Sequence, residues 1–146
     1  MSKADDAGKC FSEGFNCSQA IFTSFCEDLG LDKKTALKIS SGFGGGMAHL
    51  DETCGAVTGA FMVLGLKHGR FIANDIDAKA KTNSLVQEFT KRFKEMHGSI
   101  RCTGLLNCDL STPEGAKSAN EQNVFKTKCP KFVEDAAKIV EELMDR

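Results

Sequence analysis

The segment CPKFVEDAAKIVEELM, residues 129–144, repeats Phe132, Val133, Ala136, Ala137, Val140, Leu143 and Met144 at steps of three and four. That spacing lines one face of an α-helix, so the segment is expected to be helical and to pack on a core. Outward from it the same period recurs. From Asp75 to Met96 the apolar positions Ile76, Ala80, Val86, Phe89, Phe93 and Met96 repeat similarly, ending near His97 and Gly98 with Lys and Arg in the last turns. Asn16 to Leu29 reads as a helix opened by Asn16, with Gln19 three residues on as the partner of a capping box, and closed by Gly30. Shorter helices are expected at Lys3 to Glu13, Lys33 to Ser40 and Pro113 to Asn123. No stretch alternates apolar and polar residues with β-branched enrichment, so no sheet is expected. The expected fold is a compact all-α bundle of five to seven helices, a single cysteine-rich domain over residues 1–146.

Composition narrows the function classes. The 146 residues suffice for one apolar core. With 19 Lys+Arg against 20 Asp+Glu, a net charge of −1, there is no basic footprint for nucleic acid. The N-terminus MSKADDAGKC has no apolar signal region, and the longest apolar stretch, Ala60 to Leu66, falls well short of the roughly 20 residues that cross a bilayer. A soluble, cytoplasmic protein without a membrane span is expected. Seven cysteines are many for this length. In a reducing compartment they point to metal binding or redox chemistry rather than standing disulfides, and the odd number leaves at least one outside any paired scheme.

The thiols divide by their position on the expected helices. Cys17 follows the cap Asn16 and takes the first helical position. Cys54 follows Asp51, Glu52 and Thr53 and lies in the first turn of a helix running to about Lys67. Cys129 precedes Pro130 and is expected to be the cap itself. Cys102 follows the loop HGSI and precedes TGLL, a short helical turn. A helix N-terminus carries about half a positive charge and unpaired N–H groups, which favour thiolate over thiol. Cys10 and Cys26 instead fall in helix interiors as small apolar residues. Cys108 follows Cys102 with five residues between them, a spacing that matches no metal or redox signature.

Around Cys54, Gly55 and Gly59 share one helical face, where another backbone or a cofactor can approach closely. They are the candidate cofactor-binding positions. The helix carrying Cys17 could supply that contact and hold two thiols near each other. The run Gly42 to Gly46 lacks the Gly-Lys-Ser/Thr and the preceding strand of a nucleotide loop and is expected to be a tight connection leading into Cys54. His49, five residues before Cys54, is a candidate base or ligand. His68 and His97 end helices and are expected at the surface or as caps. There is no Cys-x-x-Cys, so any site must be assembled from distant helices.

The segments FSEGFNCSQAIF, FGGG, CGAVTGAFMVLGLKHG, GSIRCTGLLNCDLS and CPKFVEDAAKIVEEL follow one another from Phe11 to the C-terminus. In that order they closely resemble the C-GCAxxG-C-C family of redox-active cysteine proteins. The resemblance places the four signature cysteines on Cys17, Cys54, Cys102 and Cys129, with Gly55, Ala56 and Gly59 completing the central motif. It implies a redox role alongside a redox partner or a transporter/oxidoreductase system. Cys10, Cys26 and Cys108 lie outside the pattern. Three uses of the four cysteines follow. They form a thiol–disulfide oxidoreductase with Cys54 attacking and the others resolving; or all four ligate zinc or an iron–sulfur cluster as a metal site, which Asp51 and Glu52 would oppose by their charge; or they are structural in a non-catalytic interaction module.

Overall fold

The computed structural model describes residues 2–146. Ten α-helical segments are present among the described residues, eight of them at least five residues long, so the all-α bundle holds slightly more helices than expected. In chain order they are α1 (Lys3–Ser12), α2 (Cys17–Cys26), α3 (Lys33–Ser40), α4 (Gly44–Met47), α5 (Gly55–His68), α6 (Ile76–His97), α7 (Cys102–Leu106), α8 (Pro113–Glu121), α9 (Val124–Thr127) and α10 (Cys129–Met144).

The local signals explain most boundaries. Asn16 caps α2 with a reciprocal pair: Gln19 N–H donates to Asn16 Oδ1 at 2.9 Å, and Asn16 N–H donates to Gln19 Oε1 at 3.1 Å. A short 3-10 turn, Glu27–Leu29, carries the chain on to Gly30, whose φ of 87° ends it. Gly98, at φ 84°, stops α6 in the same way. Among the described residues there is no strand, only an isolated antiparallel bridge between Thr53 and Arg101.

Helix α5 is apolar almost all round, which makes it the central element of the bundle. Helix α2 packs along it where Gly55 and Gly59 remove side chains: a Cβ at Gly55 would lie 3.0 Å from the Ser18 amide nitrogen, and one at Gly59 would lie 2.9 Å from the Ser18 carbonyl. The space opened at Gly59 is therefore filled by α2. Helices α6 and α10 cover other sides of α5, and α1 lies against α2 and α10. Ile21, Phe25, Val57, Leu64, Phe89, Phe93, Val133 and Val140 form the fully buried centre.

Two histidines depart from their expected surface roles. His97 is nearly buried against the Phe93 and Phe132 rings, and its Nε2 lies 3.0 Å from Asp135 Oδ2, a carboxylate also met by Lys131 at 3.1 Å. His68 Nε2 is 2.8 Å from the Met144 carbonyl oxygen and joins the ends of α5 and α10. Both bonds link helices that are far apart in sequence, a proximity that the helical period of one segment does not encode.

The glycine run is tightly turned, as expected, but with an unusual hand. Gly45, Gly46, Met47, Ala48 and His49 all have φ between 57° and 75°, a turn of left-handed backbone closed by Ala48 N–H donating to the Gly44 carbonyl at 3.0 Å. Asp51 is left-handed as well, at φ 60°. L-residues adopt this conformation at a cost of about 1–2 kcal/mol each.

Candidate functional site

Four helix starts meet at one end of the bundle. Cys17 is the first residue of α2, Cys102 the first of α7 and Cys129 the first of α10, while Cys54 is the residue that caps α5. Two placements shift by one position from expectation. Cys54 caps its helix rather than lying inside the first turn, because the backbone turns extended at ψ 139° directly before Gly55. Cys129 is the first residue of α10 rather than its cap, because Lys128 before it already lies in the helical region.

Cys17, Cys54, Cys102 and Cys129 all line one cavity of about 380 Å³. All are buried and none is in a disulfide. Cys10, Cys26 and Cys108 lie outside it. Their sulfurs sit near Thr23 Oγ1 at 3.6 Å, the Thr23 carbonyl at 3.5 Å and Ser118 Oγ at 3.8 Å respectively, as small buried groups with local polar contacts. His49 and Gly55 also line the cavity, and the His49 ring meets Phe125 edge to face at 6.4 Å across its rim. Gly59 does not reach it.

A short backbone clamp brings Cys54 and Cys102 together. The Cys54 N–H donates to the Ile100 carbonyl at 2.7 Å, and the Cys102 N–H donates to the Glu52 carbonyl at 3.3 Å, on either side of the Thr53–Arg101 bridge. The left-handed turn presses on the same place: a Cβ at Gly46 would lie 3.0 Å from the Cys102 sulfur, so only glycine lets the loop cover it.

The two thiols differ in charge. The neighbouring Cys102 thiol, as the stronger hydrogen-bonding partner, shifts Cys54 below the ordinary thiol value of 9.0 against the opposing effect of burial. The Ala56 and Val57 N–H groups at the start of α5 add to it, although none forms a side-chain cap bond of good geometry. Cys102 is pushed far above 9.0, first by giving its proton to that bond, then by burial, then by the charges of Cys54, Cys129 and Asp51. Cys17 is likewise pushed well up, first by its hydrogen bond to Cys129, then by burial and by the charges of Cys54, Cys129 and Cys102. The four cysteines thus share one electrostatic neighbourhood, in which the strongest influence on Cys54 is Cys102 and that on Cys17 is Cys129.

Asp51 is a site residue whose role the linear sequence conceals. It stands three positions before Cys54, yet its carboxylate turns to Cys102's helix: the Thr103 N–H donates to Oδ1 at 2.9 Å, the Thr103 hydroxyl donates to the same oxygen, and Arg101 Nη2 donates to Oδ2 at 3.2 Å. It acts as a cap in trans for α7. The sequence expectation set its charge against Cys54; it acts instead on Cys102. A signal was present in the Cys-Thr start of α7, which has no acceptor immediately before it, since Arg101 cannot cap.

As ligands for zinc or an iron–sulfur cluster, the four cysteines are of the right chemical type, but their arrangement does not fit. No group of three or more His, Cys, Asp or Glu among the described residues is placed to hold a metal ion. No helix among the described residues is long and apolar enough to cross a membrane.

No curated protein and no solved structure matches the sequence. The family model described as "Putative redox-active protein (C_GCAxxG_C_C)" matches residues 15–143, which contain all four cavity cysteines, and the chain belongs to that family.

Proposed function

We propose that the protein is a dithiol–disulfide redox protein in which Cys54 is the attacking thiolate and Cys102 the resolving thiol. The observation that carries this reading is the backbone clamp that sets Cys54 and Cys102 side by side on one cavity, where the Cys102 thiol favours ionisation of Cys54 while its own ionisation is opposed. Thiol–disulfide exchange needs that asymmetry, because the thiolate attacks while its partner must stay protonated until the mixed disulfide has formed. Cys17 and Cys129 form a second pair in the same cavity and can take over electrons from the first by the same exchange. Zinc or cluster binding by the four cysteines is the alternative, and it requires the two pairs to close on one centre.

The test is direct. The protein is purified anaerobically, iron and zinc are measured, the visible spectrum is recorded, and free thiols are counted before and after a mild oxidant. The expected result is metal-free protein that loses thiols two at a time, with Cys54–Cys102 identified by peptide mapping. Stoichiometric metal with a charge-transfer band would sink the dithiol reading.

A further inference from the structure

The cavity over the thiols has a largely apolar lining. Phe11, Phe125 and Phe132 reach it from α1, α9 and α10, and Leu105 and Leu106 from α7. No Lys, Arg, Asp or Glu lines it. The nearby guanidinium of Arg101 is engaged with Asp51. Two of the polar groups that do line it are already bonded within the protein: Asn16 Nδ2 donates to the Ser41 carbonyl at 3.0 Å, and Ser41 Oγ donates to the Leu37 carbonyl at 2.9 Å. Apart from the His49 imidazole, the lining offers a charged substrate no titratable counter-ion to replace the water it loses, and an anion would in addition face the Cys54 sulfur, whose ionisation is favoured. The volume of about 380 Å³ holds roughly a dozen water-sized groups, enough for a small organic molecule. Glutathione disulfide is several times larger and carries net negative charge.

Building on the dithiol reading, we propose that the substrate is a small, uncharged, apolar disulfide that enters this cavity and is reduced there. The Cys54 thiolate attacks one sulfur of R–S–S–R, forming a Cys54–S–R bond and expelling R–S⁻. The Cys102 thiol passes its proton to that leaving group, and its sulfur then attacks the Cys54 sulfur and displaces the second R–S⁻, which takes a proton from water. The two cysteines lose two electrons as the Cys54–Cys102 disulfide forms, and the substrate gains two electrons as two R–SH. Run backwards, the same steps oxidise two small thiols.

The test uses three disulfides of matched size and different charge: bis(2-hydroxyethyl) disulfide, which is neutral; dithiodipropionate, a dianion; and cystamine, a dication. The rate of Cys54–Cys102 disulfide formation with each is divided by that probe's rate with free 2-mercaptoethanol, which removes intrinsic reactivity. The expected result is a normalised rate for the neutral probe on the order of 100-fold above the dianion and at least about tenfold above the dication. A charged probe within about threefold of the neutral one would overturn the proposal. Ala48→Lys places a cation on the exposed rim without changing the class of residue in the left-handed turn. It is expected to raise the dianion-to-neutral rate ratio about tenfold. Ser41→Lys, on another part of the rim, serves the same purpose if Ala48→Lys loses helical content, and an unchanged ratio in a folded variant counts against the proposal. If none of the probes yields the Cys54–Cys102 disulfide, the dithiol reading itself falls. If the disulfide forms at equal normalised rates, only the substrate class does.

Discussion

The start of α5 and the start of α7 make an instructive comparison. Both place a cysteine at a helix N-terminus, both are held by the same two-bond clamp, and both sulfurs line one cavity. Their charge preferences are opposite. Helix α5 has fourteen residues, and its first N–H groups face the Cys54 sulfur with no competing anion. Helix α7 has five, and its N-terminus is already occupied by the Asp51 carboxylate. The difference comes first from the bond between the two thiols and from burial, and Asp51 adds to it, so a helix start favours a thiolate less where a carboxylate from elsewhere in the chain already occupies it.

That contrast can be broken most sharply at Cys54. Replacing it in Cys54→Ser is expected to lower the fastest alkylation rate near neutral pH by about 100-fold or more, whereas Cys26→Ser leaves the rate intact, since Cys26 is buried and its ionisation is pushed up by burial. Equal rates in the two variants would remove the distinction between helix starts and helix interiors.

The pH dependence of stability comes next in size. Cys54, held below 9.0, contributes stability that is present above the unfolded value and lost as pH falls through its folded one. Cys17 and Cys102, pushed above 9.0, contribute stability that is present below 9.0 and lost as pH rises beyond it, because the unfolded thiols ionise first. Above pH 9 Cys54 is ionised in both states and adds no slope, so the unfolding free energy of the reduced protein, read from urea midpoints, should fall above pH 9 by roughly 1–3 kcal/mol per pH unit. Midpoints that stay level or rise over that window would contradict the assignment of protons to Cys17 and Cys102.

A smaller effect isolates Asp51. In the Cys54→Ser background, where the hydrogen bond to Cys54 thiolate is gone, adding Asp51→Asn keeps an acceptor for the Thr103 N–H but removes the charge. Cys102 alkylation is then expected to rise roughly threefold to tenfold, and no change would mean that burial alone controls Cys102. Smallest of all is Gly65→Ala. A Cβ at Gly65 has open space, and the change should stabilise α5 by up to about 1 kcal/mol without altering Cys54 alkylation. Gly59→Ala, facing the Ser18 backbone, should instead cost about 1–3 kcal/mol in chemical denaturation.

Much of this architecture is legible along the chain because helices are local. The period of Phe132 to Met144, the Asn16–Gln19 box and the stop signals at Gly30 and Gly98 each depend on residues within a turn or two. The same locality identifies four cysteines at helix starts. It does not identify how they pair. Which sulfur faces which depends on the clamp between Glu52–Cys54 and Ile100–Cys102, and on a carboxylate that bonds a partner 52 residues away. The left-handed hand of residues 45–49 is equally hidden, since Met47, Ala48 and His49 have no preference for it. The loop is held there by what it touches, Cys102 beneath Gly46 and Phe125 beside His49.

That turn behaves like a wound spring. Three consecutive non-glycine residues in the left-handed region hold about 3–6 kcal/mol, a sizeable fraction of the roughly 5–15 kcal/mol by which a domain of ordinary stability stays folded. The strained stretch includes the rim residue Ala48 and leads into Asp51, whose carboxylate bonds the start of α7 and is one of the charges opposing ionisation of Cys102. Release of the spring would therefore do two things in one motion. It would uncover the Cys102 sulfur, and it would withdraw one of the charges that oppose its ionisation, so that opening the cavity and readying the second thiol become a single event.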